Sequence, residues 1–194
     1  KFIDRLVTNK FHVVRFDNRD VGKSTWFGRE PTFNKFLKLL PNFLLRMIVN
    51  SVFGLAVDEK GRFKFSESSP TQYDLSDMAK DAVSLMDTLK IDKAHIIGAS
   101  MGGMITQIIA LDYPERVLSI TPIMTSPGIQ NDSLSGPTKE LLEAMKKSFI
   151  FNLKGRIEDG VVEIYRQLTG SRFPFNEQEF REKLKPVISH GNNP

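Results

Sequence analysis

The sequence predicts an α/β fold: a mostly parallel sheet, incomplete as it stands, followed by a helical segment. Three observations predict it. Short β-branched or aromatic runs alternate with helix-spaced stretches through the first two thirds of the chain. A serine flanked by glycines, Gly98-Ala99-Ser100-Met101-Gly102, sits where one such run gives way to helical spacing. From Gln130 onward only helical spacing remains.

Taken in order, Phe11-His12-Val13-Val14-Arg15-Phe16 reads as a strand, stopped by Asp17-Asn18 and followed by a loop to Thr25. Residues 27–70 form an unusual apolar stretch, with Phe33, Phe36, Leu37, Leu40, Phe43 and Leu44 among its members and Pro41 and Gly54 as breaks. Over 75–89, Leu75, Met78, Ala82, Leu85 and Leu89 recur at three and four, which is the stripe of an amphipathic helix. Ala94-His95-Ile96-Ile97 is the next strand, 103–111 the next helix, ending near Pro114, and 117–123 the last strand. Helical spacing then covers 139–152, 157–168 and 176–185, interrupted by Gly155, Gly160, Gly170 and Pro186. There is no internal repeat and no low-complexity tract.

A serine on a strand-to-helix hairpin with glycines at −2 and +2 is the pattern of a nucleophile elbow. The tight turn strains the serine backbone and lifts the hydroxyl clear of the sheet, and close approach of the neighbouring chain favours glycine beside it. A bare GxSxG turns up by chance in roughly one chain in twenty of this length. The strand before it, the helix after it and Gly103 extending the small-residue run carry the assignment. Ser100 is the candidate nucleophile, the Met101 amide a candidate oxyanion donor, and Gly98 and Gly102 the elbow glycines.

The 194 residues are 40% hydrophobic and 26% charged, an ordinary globular composition with enough length for a full core. Cysteine is absent, which rules out disulfides and thiolate metal sites and fits a cytoplasmic setting. The net charge of +4 is spread without a block of like charges, so no nucleic-acid footprint is expected. No His/Asp/Glu cluster has ligand spacing, and neither a metal nor an organic cofactor is expected. The longest uncharged apolar run, 47–57, is far short of a membrane span. Lys35, Lys38 and Arg46 interleave with apolar residues, a pattern compatible with an anionic membrane surface, but a membrane partner is not the expectation. The chain opens at Lys1 inside what reads as an ongoing element and ends at Pro194 with no closing strand, so it reads as an internal piece of a longer protein.

Asp17 to Thr25 contains Gly22-Lys23-Ser24-Thr25 after a strand, which invites a phosphate-loop reading. Asp17 occupies the position of that motif's first glycine, and its carboxylate would repel phosphate. Trp26-Phe27-Gly28-Arg29-Glu30-Pro31 is also a poor helix start.

The same loop has a better match. Asp17-x-Arg19-x-x-Gly22-x-Ser24 resembles the D-x-R-G-x-G-x-S segment that follows the fourth strand in many α/β-hydrolases, with Asp20 in place of the first glycine. That replacement, residues 91–102 and 106–112, and Arg172-Phe173-Pro174-Phe175 resemble the branch of aclacinomycin methylesterase-like serine esterases. The resemblance covers most of residues 11–26, 73–127 and 165–192. It implies a partial α/β-hydrolase core over 1–128, with the insertion at about 27–70, and a helical cap segment over 129–194.

By the same resemblance, the function is that of a serine hydrolase, a carboxylic ester hydrolase in which Ser100 forms an acyl-enzyme. The implied partner is a small molecule with an apolar ester or acyl group, and no cofactor is needed. Alternatives are another elbow-serine activity (C–C hydrolase, acyltransferase, cofactor-free haloperoxidase) or a non-catalytic binder on the same fold. The family order is serine, acid, histidine. His12 and His95 precede Ser100 and read as core or strand-edge residues, while His190 lies in the helical segment. The resemblance therefore places the triad acid and histidine after this chain, and the second oxyanion amide before it. The chain alone is expected to be inactive and the full-length protein active. The insertion has two readings: a core-packed or partly ordered loop, or a lid laying Phe33, Phe36, Leu40, Phe43 and Leu44 over the site.

Overall fold

The computed structural model describes residues 2–27, 37–59, 62, 64, 72–127 and 136–191. Its elements in chain order are α1 (Phe2–Thr8), α2 (Asn42–Ala56), α3 (Leu75–Thr88), β1 (Ala94–Ala99), α4 (Met101–Asp112), β2 (Val117–Ile123), α5 (Lys139–Leu153), α6 (Ile157–Leu168) and α7 (Glu177–Gly191). Phe33, Phe36, Ser68-Ser69-Pro70 and Gln130 lie outside the described residues.

The centre is a β-α-β unit. β1 and β2 pair in parallel from Ala94↔Val117 to Ala99↔Ile123, with α4 as the connection. α3 starts cleanly because Asp74 accepts from the Asp77 amide while the Asp77 carboxylate accepts from the Asp74 amide, a reciprocal cap. Its buried stripe is Met78, Ala79, Val83 and Met86. That stripe is rotated from the expected 75-78-82-85-89 series: Leu89 is the exposed C-cap, because the helix stops at Thr88. Met78, Ala79 and Val83 close on Ile105 and Ile109 of α4, with Ile96 and Val117 of the strands packed beneath. Arg116 ties the strand starts together, donating to the carbonyls of Asp92 (2.8 Å) and Ile91 (2.9 Å) and pairing with Asp87 at the end of α3.

The run 11–16, expected as a strand, is not one here. It follows α1 with no ladder partner among the described residues, and Phe11, Val14 and Phe16 are exposed. β-propensity creates a strand only where a neighbour completes the ladder. His12 is exposed and lies in no strand, against the expectation of a core or strand-edge residue, whereas His95 is an exposed residue of β1 that hydrogen-bonds Ser119 of β2 (2.8 Å) and meets the Phe11 ring edge-on.

α2 arises from the apolar stretch. Pro41 sits at its N-cap, where a missing amide hydrogen costs nothing, and Gly54 does not interrupt it. Leu45, fully buried, joins Leu37 and Leu153 in a second core cluster, and Lys154 Nζ donates to the carbonyls of Lys38 (2.9 Å) and Leu40 (2.6 Å). Leu40 therefore packs toward α5, while Phe43 is exposed. α7 runs through Pro186 rather than stopping before it. Among the described residues no helix is long and apolar enough to cross a membrane.

Candidate active site

Ser100 stands between the last residue of β1 and the first of α4. Its backbone is at φ 53°, ψ −121°, a region that costs a non-glycine residue about 1–3 kcal/mol. Such strain persists only where surrounding contacts over-determine it, and these contacts are explicit. The Ser100 amide donates to the Ile123 carbonyl at the end of β2 (2.9 Å). Its carbonyl accepts from the amides of Gly103 (2.9 Å) and Met104 (3.3 Å) and from the Thr125 hydroxyl (2.8 Å). The Ser100 side chain makes no capping bond and the residue is exposed. The turn is gripped by its backbone while its hydroxyl is left for other chemistry.

The glycines divide into two kinds. A Cβ on Gly98 would lie 2.1 Å from the Gly102 carbonyl oxygen and 2.7 Å from Thr106 Cγ2, so strand and helix approach as closely as they do only because Gly98 has no side chain. A Cβ on Gly102 would meet nothing within 4 Å. The close approach on the helix side falls on Gly103 instead, where a Cβ would lie 2.6 Å from Thr125 Cγ2. Gln107 extends that grip, its side-chain amide donating to the carbonyls of Gly103 (3.1 Å) and Ser126 (3.0 Å). Thr106, also on α4 and buried, returns its hydroxyl to the Gly103 carbonyl (2.8 Å).

Met101 opens α4, so its amide has no carbonyl a turn earlier to bond and faces outward at the positive end of the helix. Around it, Met101, Ile123 and Met124 are exposed apolar side chains, and Met124 itself is held at φ 47°. The sequence points to Met101 through its amide, and carries no signal for Ile123 or Met124. Thr125 and Gln107 carry no local signal of their role, since their bonds join the segment after β2 to the distant turn between β1 and α4.

None of the three histidines hydrogen-bonds Ser100. His190, near the C-terminal end of α7, pairs with Asp17 at 2.9 Å, and the same carboxylate accepts from the Lys23 amide (3.0 Å). That backbone bond first, and His190 second, hold the Asp17 carboxyl below the usual carboxylate range. Asp17 thus closes its own loop through Lys23, and no helix begins there as a phosphate loop would need. The rest of the loop is anchored on α3. Arg19 makes a two-pronged bond to Asp81 (2.7 Å on each arm) while lying over the rings of Phe27 and Tyr73. Asp20 accepts from the Tyr73 hydroxyl (2.5 Å) and the Phe27 amide (2.6 Å), and the hydroxyl bond pushes the Tyr73 phenol up. Among the described residues no group of three or more His, Asp or Glu comes together to hold a metal.

Comparison with known proteins adds the following. A family model described as alpha/beta hydrolase fold matches residues 1–154. The rhodomycin D methylesterase DauP of Streptomyces sp. (strain C5) is 26% identical over 209 residues, covering 98% of this chain and 56% of the relative. The rhodomycin D methylesterase DnrP of Streptomyces peucetius is 25% identical over 212 residues, with the same coverage of both. The chain thus spans little more than half the length of these relatives.

Proposed function

The chain belongs to the alpha/beta hydrolase fold family, and on that premise we propose that its whole protein is a serine hydrolase acting on carboxylic esters, with Ser100 as nucleophile. The observation that carries the reading is the Ser100 turn: an exposed hydroxyl on a strained residue between strand and helix, with its backbone bonded on every side. The likeness to two methylesterases across nearly the whole chain supports ester hydrolysis.

The chemistry follows from the turn. Ser100 Oγ attacks the ester carbonyl carbon, the carbonyl π bond opens, and the charge that develops on oxygen is met by the Met101 amide at the start of α4. The tetrahedral intermediate collapses with loss of the alcohol, leaving an acyl-serine that water then resolves to the acid. The base that takes the Ser100 proton is an imidazole that this chain does not bring to Ser100. The exposed apolar side chains of Met101, Ile123 and Met124 beside the turn favour an apolar acyl or alcohol group. No cofactor is required for these steps.

Fluorophosphonate labelling of the whole protein, with turnover of short methyl esters, tests the reading. We expect Ser100 to carry the label and Ser100→Ala to lose both label and turnover. Label on another residue, or full turnover by Ser100→Ala, would exclude Ser100 as the nucleophile. This chain by itself is expected to show no turnover, because none of its three histidines hydrogen-bonds Ser100.

A further inference from the structure

We propose that Thr125 is a positioning residue for catalysis, acting through the Ser100–Met101 peptide to aim the Met101 amide at the oxyanion. The inference rests on Ser100 being the nucleophile. A trans peptide is planar, and its C=O and N–H point in opposite directions. Whatever holds the Ser100 carbonyl therefore sets the direction of the Met101 N–H.

Three donors converge on that carbonyl. The amides of Gly103 and Met104 belong to the first turn of α4 and move with it. The Thr125 hydroxyl, at 2.8 Å, comes from the segment after β2 and ties the peptide to the sheet side of the turn. The geometry around Thr125 is built for that bond. Gly103 leaves room for the threonine methyl, since a Cβ there would lie 2.6 Å from Thr125 Cγ2. Gln107 grips the Ser126 carbonyl next along the chain. Met124 is held at φ 47°, which turns the chain sharply between Ile123, whose carbonyl takes the Ser100 amide, and Thr125, whose hydroxyl takes the Ser100 carbonyl. Residues 123 and 125 thus hold both backbone groups of the candidate nucleophile. A bond accepted by the carbonyl also polarises the peptide and makes the opposite N–H a better donor.

The test uses the whole protein, a short methyl ester and a trifluoromethyl ketone, whose adduct with the serine places an oxyanion at the same amide. Thr125→Val keeps the shape and removes the hydroxyl; Thr125→Ser keeps the hydroxyl. We expect Thr125→Val to lower kcat roughly tenfold and weaken the ketone by the same factor, with KM unchanged, which is less than the roughly hundredfold or more for removing an oxyanion donor outright. Thr125→Ser should restore both. If kcat and ketone affinity stay at the parent level, or if KM and kcat shift together with no change in the ketone-to-KM ratio, Thr125 does not position the amide. If Thr125→Val does not fold, Thr125→Ala removes the same hydroxyl with less bulk against Gly103, and parent values for both readouts would overturn the proposal. Ser100→Ala run in parallel separates the two ideas: lost turnover there with unaffected Thr125→Val overturns only this inference, and retained turnover overturns both.

Discussion

Replacing Gly98 with alanine probes the close approach of strand and helix at the serine turn. The added methyl would lie 2.1 Å from the Gly102 carbonyl oxygen, 2.4 Å from the Gly102 carbonyl carbon and 2.7 Å from Thr106 Cγ2. Two of these are backbone atoms and the third belongs to a buried threonine, so no flexible side chain can swing away. Bringing the oxygen to an ordinary contact of 3.4 Å or more requires the end of β1 and the start of α4 to part by over an ångström. That movement loosens the packing of Ile105 and Ile109 under α3 as well. Overpacking of this kind costs about 3 kcal/mol. The control is Gly102→Ala, two residues into α4, where a methyl meets nothing and the backbone is not left-handed. There the smaller entropy of the unfolded chain should add about 0.4–1 kcal/mol of stability. Urea unfolding of the whole protein measures both, as shifts of the midpoint at constant m. A Gly98→Ala variant within about 0.5 kcal/mol of the parent would refute the reasoning, and so would equal losses at the two glycines.

Other outcomes are expected elsewhere in the chain. Leu45→Ala empties the centre of the cluster between α2 and α5, where Leu45 is fully buried, and should cost about 2–5 kcal/mol by the same urea titration. Arg116→Met removes three bonds that hold the strand starts to the end of α3. It leaves the Ile91 and Asp92 carbonyls to water and should cost about 1–3 kcal/mol in thermal or urea unfolding. The carboxyl of Asp17 is lowered in the folded chain, so its contribution is complete above the ordinary aspartate range near pH 4 and is lost as the pH falls through the lower folded value. Asp17→Asn should therefore flatten the stability profile on the acid side only; an unchanged slope below about pH 4 would show that the bonds to Lys23 and His190 contribute nothing.

Much of the architecture was legible from local pattern. The helix over 75–88, the strand over 117–123 and the helix over 157–168 follow from side-chain periodicity that repeats within a few residues. The serine turn was legible for the same reason, since two glycines, a strand ending and a helix beginning all lie within a short span. Local pattern does not make a strand where no partner lies among the described residues. Phe11 to Phe16 has the composition of a strand, yet a strand exists only through hydrogen bonds to a neighbour. Pro186 and Gly54 have the character of helix breaks, but α7 and α2 run across them.

By itself, then, the sequence determined the α/β class, the order of most elements and the place of Ser100, because each depends on residues adjacent in the chain. Only the tertiary structure decided why Gly98 must be glycine, that Gly103 rather than Gly102 meets a neighbour, and that Thr125 and Gln107 hold the turn. It also decided that Arg19 and Asp20, part of a loop motif in sequence, serve to dock that loop on Asp81 and Tyr73. These facts are distances between atoms far apart along the chain, set by how β2 lies against β1 and how α3 and α4 close over them. Periodicity carries information about which face of an element is buried, and none about which distant side chain it will meet there.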